Sequence, residues 1–286
     1  MIAVLFALLA AASNALASVL QRRAARSAPK EFAFRPALLW SLFRRPVWLG
    51  GIGALIAGFL LQALALSRGG LALVQPLLVA ELPFTMILLA RMSRLRLDRR
   101  TWVAVAAMTA GLAGFLGAAS PTKGRHTPDT ADWVIATVIT LAVIVGLVLV
   151  ARWLNGAPRA AVLGVAAGVG FAFTATFMKA TTNLVDQGMI TVVTSWQPYA
   201  MAAAGLGSVY LLQNALQSGT LVAAQPALTI SDPVSAVVYG TTMFGEGVRT
   251  GPWMIAEVAG FMLIFYGSIR LSRSAPIRAQ GENENA

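Results

Sequence analysis

Leu60-Leu61-Gln62-Ala63-Leu64, Gly70-Leu71 and Gln75-Pro76 recur later in the chain as Leu211-Leu212-Gln213-Asn214-Ala215-Leu216, Gly219, Leu221 and Gln225-Pro226. One single-residue gap reconciles the two stretches. Beyond it, Leu71/Leu221, Gln75/Gln225, Pro76/Pro226, Leu78/Leu228 and Pro83/Pro233 align at a constant offset of 150, and Gly117/Gly267 keeps that offset in the next segment. Apolar matches alone carry little weight in so hydrophobic a chain. A Gln-Pro pair with a second proline seven residues later is far harder to obtain by chance. The sequence therefore reads as two related halves.

What surrounds the repeat is apolar. The 286 residues are 57% hydrophobic and 12% charged, where a soluble domain carries about 25% charge. A spanning helix needs ~20 mostly apolar residues. Nine segments are expected to qualify: 1–20, 47–66, 71–90, 102–118, 133–151, 160–180, 196–216, 221–243 and 252–271. In lipid the backbone must satisfy its own hydrogen bonds, so these runs are expected to be helices. The expectation is an all-α membrane protein with a first repeat over 1–151 (helices 1–5), a second over 152–274 (helices 6–9) and a polar, disordered tail over 275–286. The first segment lacks a basic leader and is followed, not preceded, by basic residues, so it reads as a spanning helix and not a cleaved signal.

Orientation follows from Lys and Arg, which accumulate on the cytoplasmic side. Seventeen fall in the alternate connections 21–46, 91–101 and 152–159 and after the last helix; five, Arg68, Lys123, Arg125, Lys179 and Arg249, fall on the opposite side. The N-terminus is then outside and the C-terminus inside. The net charge of +11 becomes a set of topology determinants against anionic headgroups, and no nucleic-acid partner is expected. There is no cysteine, and the single histidine, His126, lies in a polar loop. Thiolate metal sites and paired-imidazole chemistry are excluded, and an enzyme is not expected.

The repeat matches helices 1–4 to helices 6–9 and leaves helix 5 without a counterpart. An offset of five helices is odd, so the halves insert with opposite orientation. Inverted repeats with a midplane site between them are a recurrent transporter design. Ionisable groups near the bilayer centre are costly and face a cavity or partner. Glu81 precedes Pro83 by two residues and Asp232 immediately precedes Pro233, so each half presents a carboxylate beside a helix-breaking proline. Each proline is expected to free a carbonyl one turn earlier, near Val79 and Thr229. Carboxylate and carbonyl oxygens suit a hard cation such as Mg2+, or a proton. Glu81 and Asp232 are the leading candidates, for a metal as well. Glu257 is a weaker one, and Asn14, Gln62, Gln213, Asn214, Thr174 and Lys179 are candidates to line the same pathway. Glu246 reads as an exposed cap or salt-bridge partner near the interface. Gly164 and Gly168 read as a helix-packing pair, and Trp102, Trp133, Trp196 and Trp253 as interfacial anchors.

Phe173-Thr174-Ala175-Thr176-Phe177-Met178-Lys179, Leu212-Gln213-Asn214-Ala215-Leu216 with Leu221 and Pro226, Phe244-Gly245-Glu246, and Ser18 with Arg22-Arg23 carry a resemblance. Through them the chain resembles the drug/metabolite transporter superfamily, in its NIPA-type magnesium-transporter branch and the related EamA-like permeases. The branch has an acid near the end of its third helix, where this chain has Ser93-Arg94-Leu95, and Glu81 and Asp232 match no acid of the magnesium branch. The resemblance implies the DMT-like fold and transport, without naming the substrate. A secondary transporter of a small solute or cation, in a bacterial plasma membrane, is the leading expectation. Its partners are the lipid bilayer and the solute, with no bound cofactor and with Mg2+ or H+ as transported or coupling ion; a homo-oligomer is left open. The alternative is a non-transporting membrane scaffold on a transporter fold.

Overall fold

The computed structural model describes residues 2–26, 46–92, 98–122, 124, 127–218, 221–249 and 251–272. His126, most of the basic connection 21–46 and the tail 275–286 lie outside the described residues. The described chain is helical throughout apart from its connections and an isolated bridge, Thr122 to Gly247. The helices are α1 (Ile2–Arg26), α2 (Pro46–Arg68), α3 (Leu71–Leu78), α4 (Glu81–Met92), α5 (Arg99–Ala119), α6 (Thr130–Arg152), α7 (Gly156–Leu184), α8 (Met189–Thr194), α9 (Gln197–Ser218), α10 (Leu221–Phe244) and α11 (Trp253–Ser272).

Among the described residues, seven spans are long and apolar enough to cross a membrane: α1, α2, α3 with α4, α5, α6, α7 and α11. This is the make-up of a multi-pass membrane protein. Segments 196–216 and 221–243, expected to span as well, are helical as α9 and α10; α9 falls short of that apolar standard. For α9 the reason is in its side chains. Gln197, Gln213, Asn214 and Gln217 lie along α9, and Gln225, Thr229, Ser231, Asp232 and Ser235 along α10.

The expected third helix is broken. Val79 and Ala80 form a turn between α3 and α4. Pro83 has no N–H to close on the carbonyl of Val79. That carbonyl instead accepts from Leu82 N at 3.2 Å, in a tighter i to i+3 turn. The Val79 oxygen, expected to be free, is therefore taken. Two helix starts, those of α5 and α6, are capped by aspartates. Asp98 accepts from Thr101 N at 2.9 Å, and Asp129 with Asp132 closes a reciprocal capping box.

Packing is organised around α7, whose most apolar stretch is 67% buried, against 11% for that of α6. Along α6, Val134, Ile135, Val138, Ile139 and Leu141 are all exposed, as a lipid-facing helix requires. α1 packs along α2 and against α3 and α4; α7 packs along α9 and α10; α3 meets α10, and α5 meets α11. The α5–α11 crossing is close because both sides are bare. A Cβ on Gly111 would lie 2.6 Å from the Gly260 carbonyl oxygen, and one on Gly260 would lie 2.7 Å from that of Gly111.

Trp133 is not an interfacial anchor. It is 7% exposed and stacks on Phe177 with centroids 4.8 Å apart, with Trp196 edge-on at 5.2 Å. Trp102 and Trp253 are half exposed at their helix starts, as anchors would be.

Candidate functional site

A cavity of about 470 Å³ lies among α1, α2, the α3–α4 break, α7, α9 and α10. Glu81 and Asp232 both line it, with Asn14, Gln62 and Thr174. Five of the residues singled out in the sequence are thus gathered in one place from both halves of the chain. Glu81 opens α4 directly after the break, so the turn at Val79–Ala80 sets where its carboxyl points. Ser18 Oγ donates to Glu81 Oε1 across a long 3.5 Å contact, and the Asn14 amide is a second polar neighbour of that carboxyl.

Asp232 is positioned by a helix crossing. A Cβ on Gly168 of α7 would collide with Ser231 Oγ and lie 2.9 Å from the backbone nitrogen of Asp232. The small-residue pair Gly164 and Gly168 thus presses α7 onto α10 at the acid. Asp232 Oδ1 is buried without a hydrogen-bond partner, and such an atom in low dielectric is costly unless something completes it.

The lining also holds Gln75 and Gln225, the matching glutamines of the repeat, with Thr229 and the rings of Phe59 and Phe171. The glutamines served in the sequence as markers of duplication and were not recognised as site residues. Their pairing beside the prolines was the feature that could have found them.

Lys179 and Glu246 build a second centre. The Lys179 ammonium pairs with Glu246 Oε1, with the side chains 2% and 0% exposed. Leu71 N and Ala72 N donate to Glu246 Oε1 and Oε2, each at 2.8 Å. The carboxylate therefore caps the N-terminus of α3, where unpaired N–H groups and the helix dipole favour an anion. The Lys179 ammonium also lies 4.5 Å over the Phe244 ring. Gly70 and Gly240 leave the room for it: a Cβ on either would lie 2.5 Å from Glu246 Oε2.

Glu246 is accordingly a cap and an ion-pair partner, as expected, but a buried one. Lys179 does not line the cavity; its neighbour Met178 does, and Gln75 lines it one turn after Leu71. The ion pair and the cap thus lie next to residues of the cavity wall in the chain, Met178 beside Lys179 and Gln75 one turn after Leu71. Beyond them, Thr122 N donates to Gly247 O at 2.9 Å and Arg249 N to Ala119 O at 3.0 Å, tying the loops after α5 and α10 together.

Three candidates fall elsewhere. Gln213 is exposed on α9. The Asn214 amide donates to Tyr210 O of its own helix at 2.8 Å. Glu257 is part-buried on α11 with Oε1 unpartnered, but α11 packs on α5 and α10 and contributes nothing to the cavity wall. Among the described residues, no group of three or more His, Cys, Asp or Glu could hold a metal ion.

The chain is 31% identical over 283 residues to the uncharacterized protein Cgl0250/cg0304 of Corynebacterium glutamicum, covering 98% of this chain and 97% of the relative. The chain belongs to the family of that protein. No family model matches the chain, and no solved structure matches it. The likeness over nearly the full length of both chains means that all the helices around the cavity have counterparts in the relative.

Proposed function

We propose that this protein is a secondary transporter of the drug/metabolite type, moving a small solute or cation across a bacterial plasma membrane by alternating access. The observation that carries this reading is the convergence of Glu81 and Asp232, one from each half, on one cavity. Acids in apolar helices are costly and are kept where a pathway needs them. On this reading α9 and α10 also cross the bilayer, α10 with Gln225, Thr229 and Asp232 turned to the cavity and α9 with Leu212 on its wall. The nine spans then form two inverted repeats with the N-terminus outside and the C-terminus inside. The packing partners support that arrangement. The contacts of α1 with α2 and with α3–α4 recur as those of α7 with α9 and with α10, and α3 meets α10 as α5 meets α11.

Alternating access requires an end that is shut while the other admits solute. The Lys179–Glu246 pair on the α3 N-terminus supplies the shut end, because it joins the first half to the second directly beside the cavity. Opening it would separate the two halves at that level while Glu81 and Asp232 stay with their own helices.

The test is reconstitution of the full chain in liposomes. Uptake of Mg2+ and of a panel of small metabolites is followed with and without a pH gradient. Flux that E81Q and D232N abolish supports the proposal. Absence of flux for every solute, together with a stable protein partner in pull-downs, would replace it with a scaffold role.

A further inference from the structure

Resting on the transport reading, we infer that the solute bound in the cavity is an organic cation, an ammonium compound with an apolar body. Four observations carry this. The first is charge. Glu81 and Asp232 are the ionisable residues among those lining the cavity, and no Lys, Arg or His is among them. The one basic side chain nearby in the sequence, Lys179, is committed to Glu246. An anionic solute would meet two carboxylates and no compensating charge.

The second is ring placement. Phe59 and Phe171 line the cavity from α2 and α7, and aromatic rings attract ammonium groups, most strongly when desolvated. A strongly hydrated metal ion gains little from them. The third is size together with donor set. A cavity of about 470 Å³ falls in the range of sites for small organic molecules, roughly 300–1,000 Å³. Bare Mg2+ needs oxygen ligands converging at about 2.0–2.1 Å, and the described residues hold no cluster of three ligating acids or imidazoles.

The fourth is the distribution of polar atoms. Asp232 Oδ1 is buried and unpartnered, an acceptor placed for a charged N–H or an ammonium methyl. The amides of Asn14, Gln62, Gln75 and Gln225 also line the cavity and can accept from the solute's remaining donors, while leucines of α3, α4, α9 and α10 cover its apolar part.

Binding and movement are measured separately, on purified full-length protein. Tetraethylammonium, choline and putrescine are titrated by calorimetry against wild type, E81Q and D232N, with benzoate and Mg2+ as comparison probes. Flux of the same compounds is followed in liposomes. The expected result is saturable binding of at least one of the three ammonium compounds, weakened about tenfold or more by either substitution, with no binding of benzoate. F59L is expected to weaken a quaternary ammonium more than it weakens putrescine.

If none of the three binds while benzoate, Mg2+ or another solute is transported, the cation inference is overturned and the transport reading stands. If an ammonium compound binds at the acids but nothing crosses the bilayer, the cation inference stands and the transport reading fails. Silence in both assays overturns both. Should a substituted protein fail to fold, the wild-type titration against benzoate still decides.

Discussion

Glu81 and Asp232, 151 residues apart in the chain, face one cavity from helices that sit beside matching prolines. Among the described residues neither carboxylate is paired with a Lys or Arg, whereas Glu246 is paired with Lys179. The two acids are therefore expected to act on what enters the cavity. E81Q and D232N are predicted each to lower transport about tenfold or more, with helical content unchanged by circular dichroism. Either variant transporting at the wild-type rate would count against the role given to that acid.

The Lys179–Glu246 pair is a stability element. Removing one partner of a buried pair leaves a charge uncompensated and costs about 3–5 kcal/mol, while replacing both can be nearly neutral. E246Q is predicted to unfold well below wild type in detergent. K179M is predicted to lose less, because Leu71 N and Ala72 N still hold the carboxylate. The double variant should recover most of the loss; thermal unfolding of the four proteins measures this, and strict additivity would argue against coupling.

Gly70 and Gly240 are required by that same carboxylate. G70A and G240A each bring a Cβ to 2.5 Å of Glu246 Oε2, a clash expected to cost about 1–3 kcal/mol. Combining either with E246A should cost less than the sum, since the carboxyl group that the new Cβ would strike is then gone. Equal losses in both backgrounds, read from unfolding midpoints, would show that the space serves something else.

Trp133 separates a core residue from an anchor. W133A removes the ring stacked on Phe177 and is predicted to cost about 3–5 kcal/mol. W102A, at a half-exposed position, should change stability little in detergent. Similar losses for the two would restore Trp133 to the interface.

Asp98 gives a pH dependence outside the spanning helices. The Thr101 hydroxyl and then the Thr101 backbone N–H hold its carboxyl below the ordinary value of 3.8. A folded pKa below the unfolded one stabilises above the unfolded value and is lost as pH falls through the folded value. Protection of the Thr101 amide from hydrogen exchange should therefore be constant at neutral pH and fall only below about pH 4. D98N, which cannot titrate, should show no such step.

The membrane character and the two acids were legible because each is written locally. Long apolar runs need only be counted, and a carboxylate inside one is conspicuous. Glu246 was legible as a cap and a partner but not as buried, because it follows Phe244 at a helix end, where exposure is the ordinary state. What buries it is the start of α3, 175 residues earlier, and no local pattern records that approach. Lys179 was misplaced into the pathway for the same reason. Trp133 stands where anchors stand, and only Phe177 beneath it reveals otherwise. The break at Val79–Ala80 was half legible: two prolines announced a disturbance, but the tight turn through Leu82 N that absorbs it depends on backbone geometry.

The cradle around Glu246 also constrains inheritance. Lys179, Glu246, Gly70 and Gly240 come from three separate stretches of sequence, yet none can be exchanged alone without stranding a charge or forcing a side chain into a carboxylate. Within the family, these four positions are expected to be kept or replaced as one block. A lineage that gave up the acid would find the lysine a liability and the two glycines free to grow side chains.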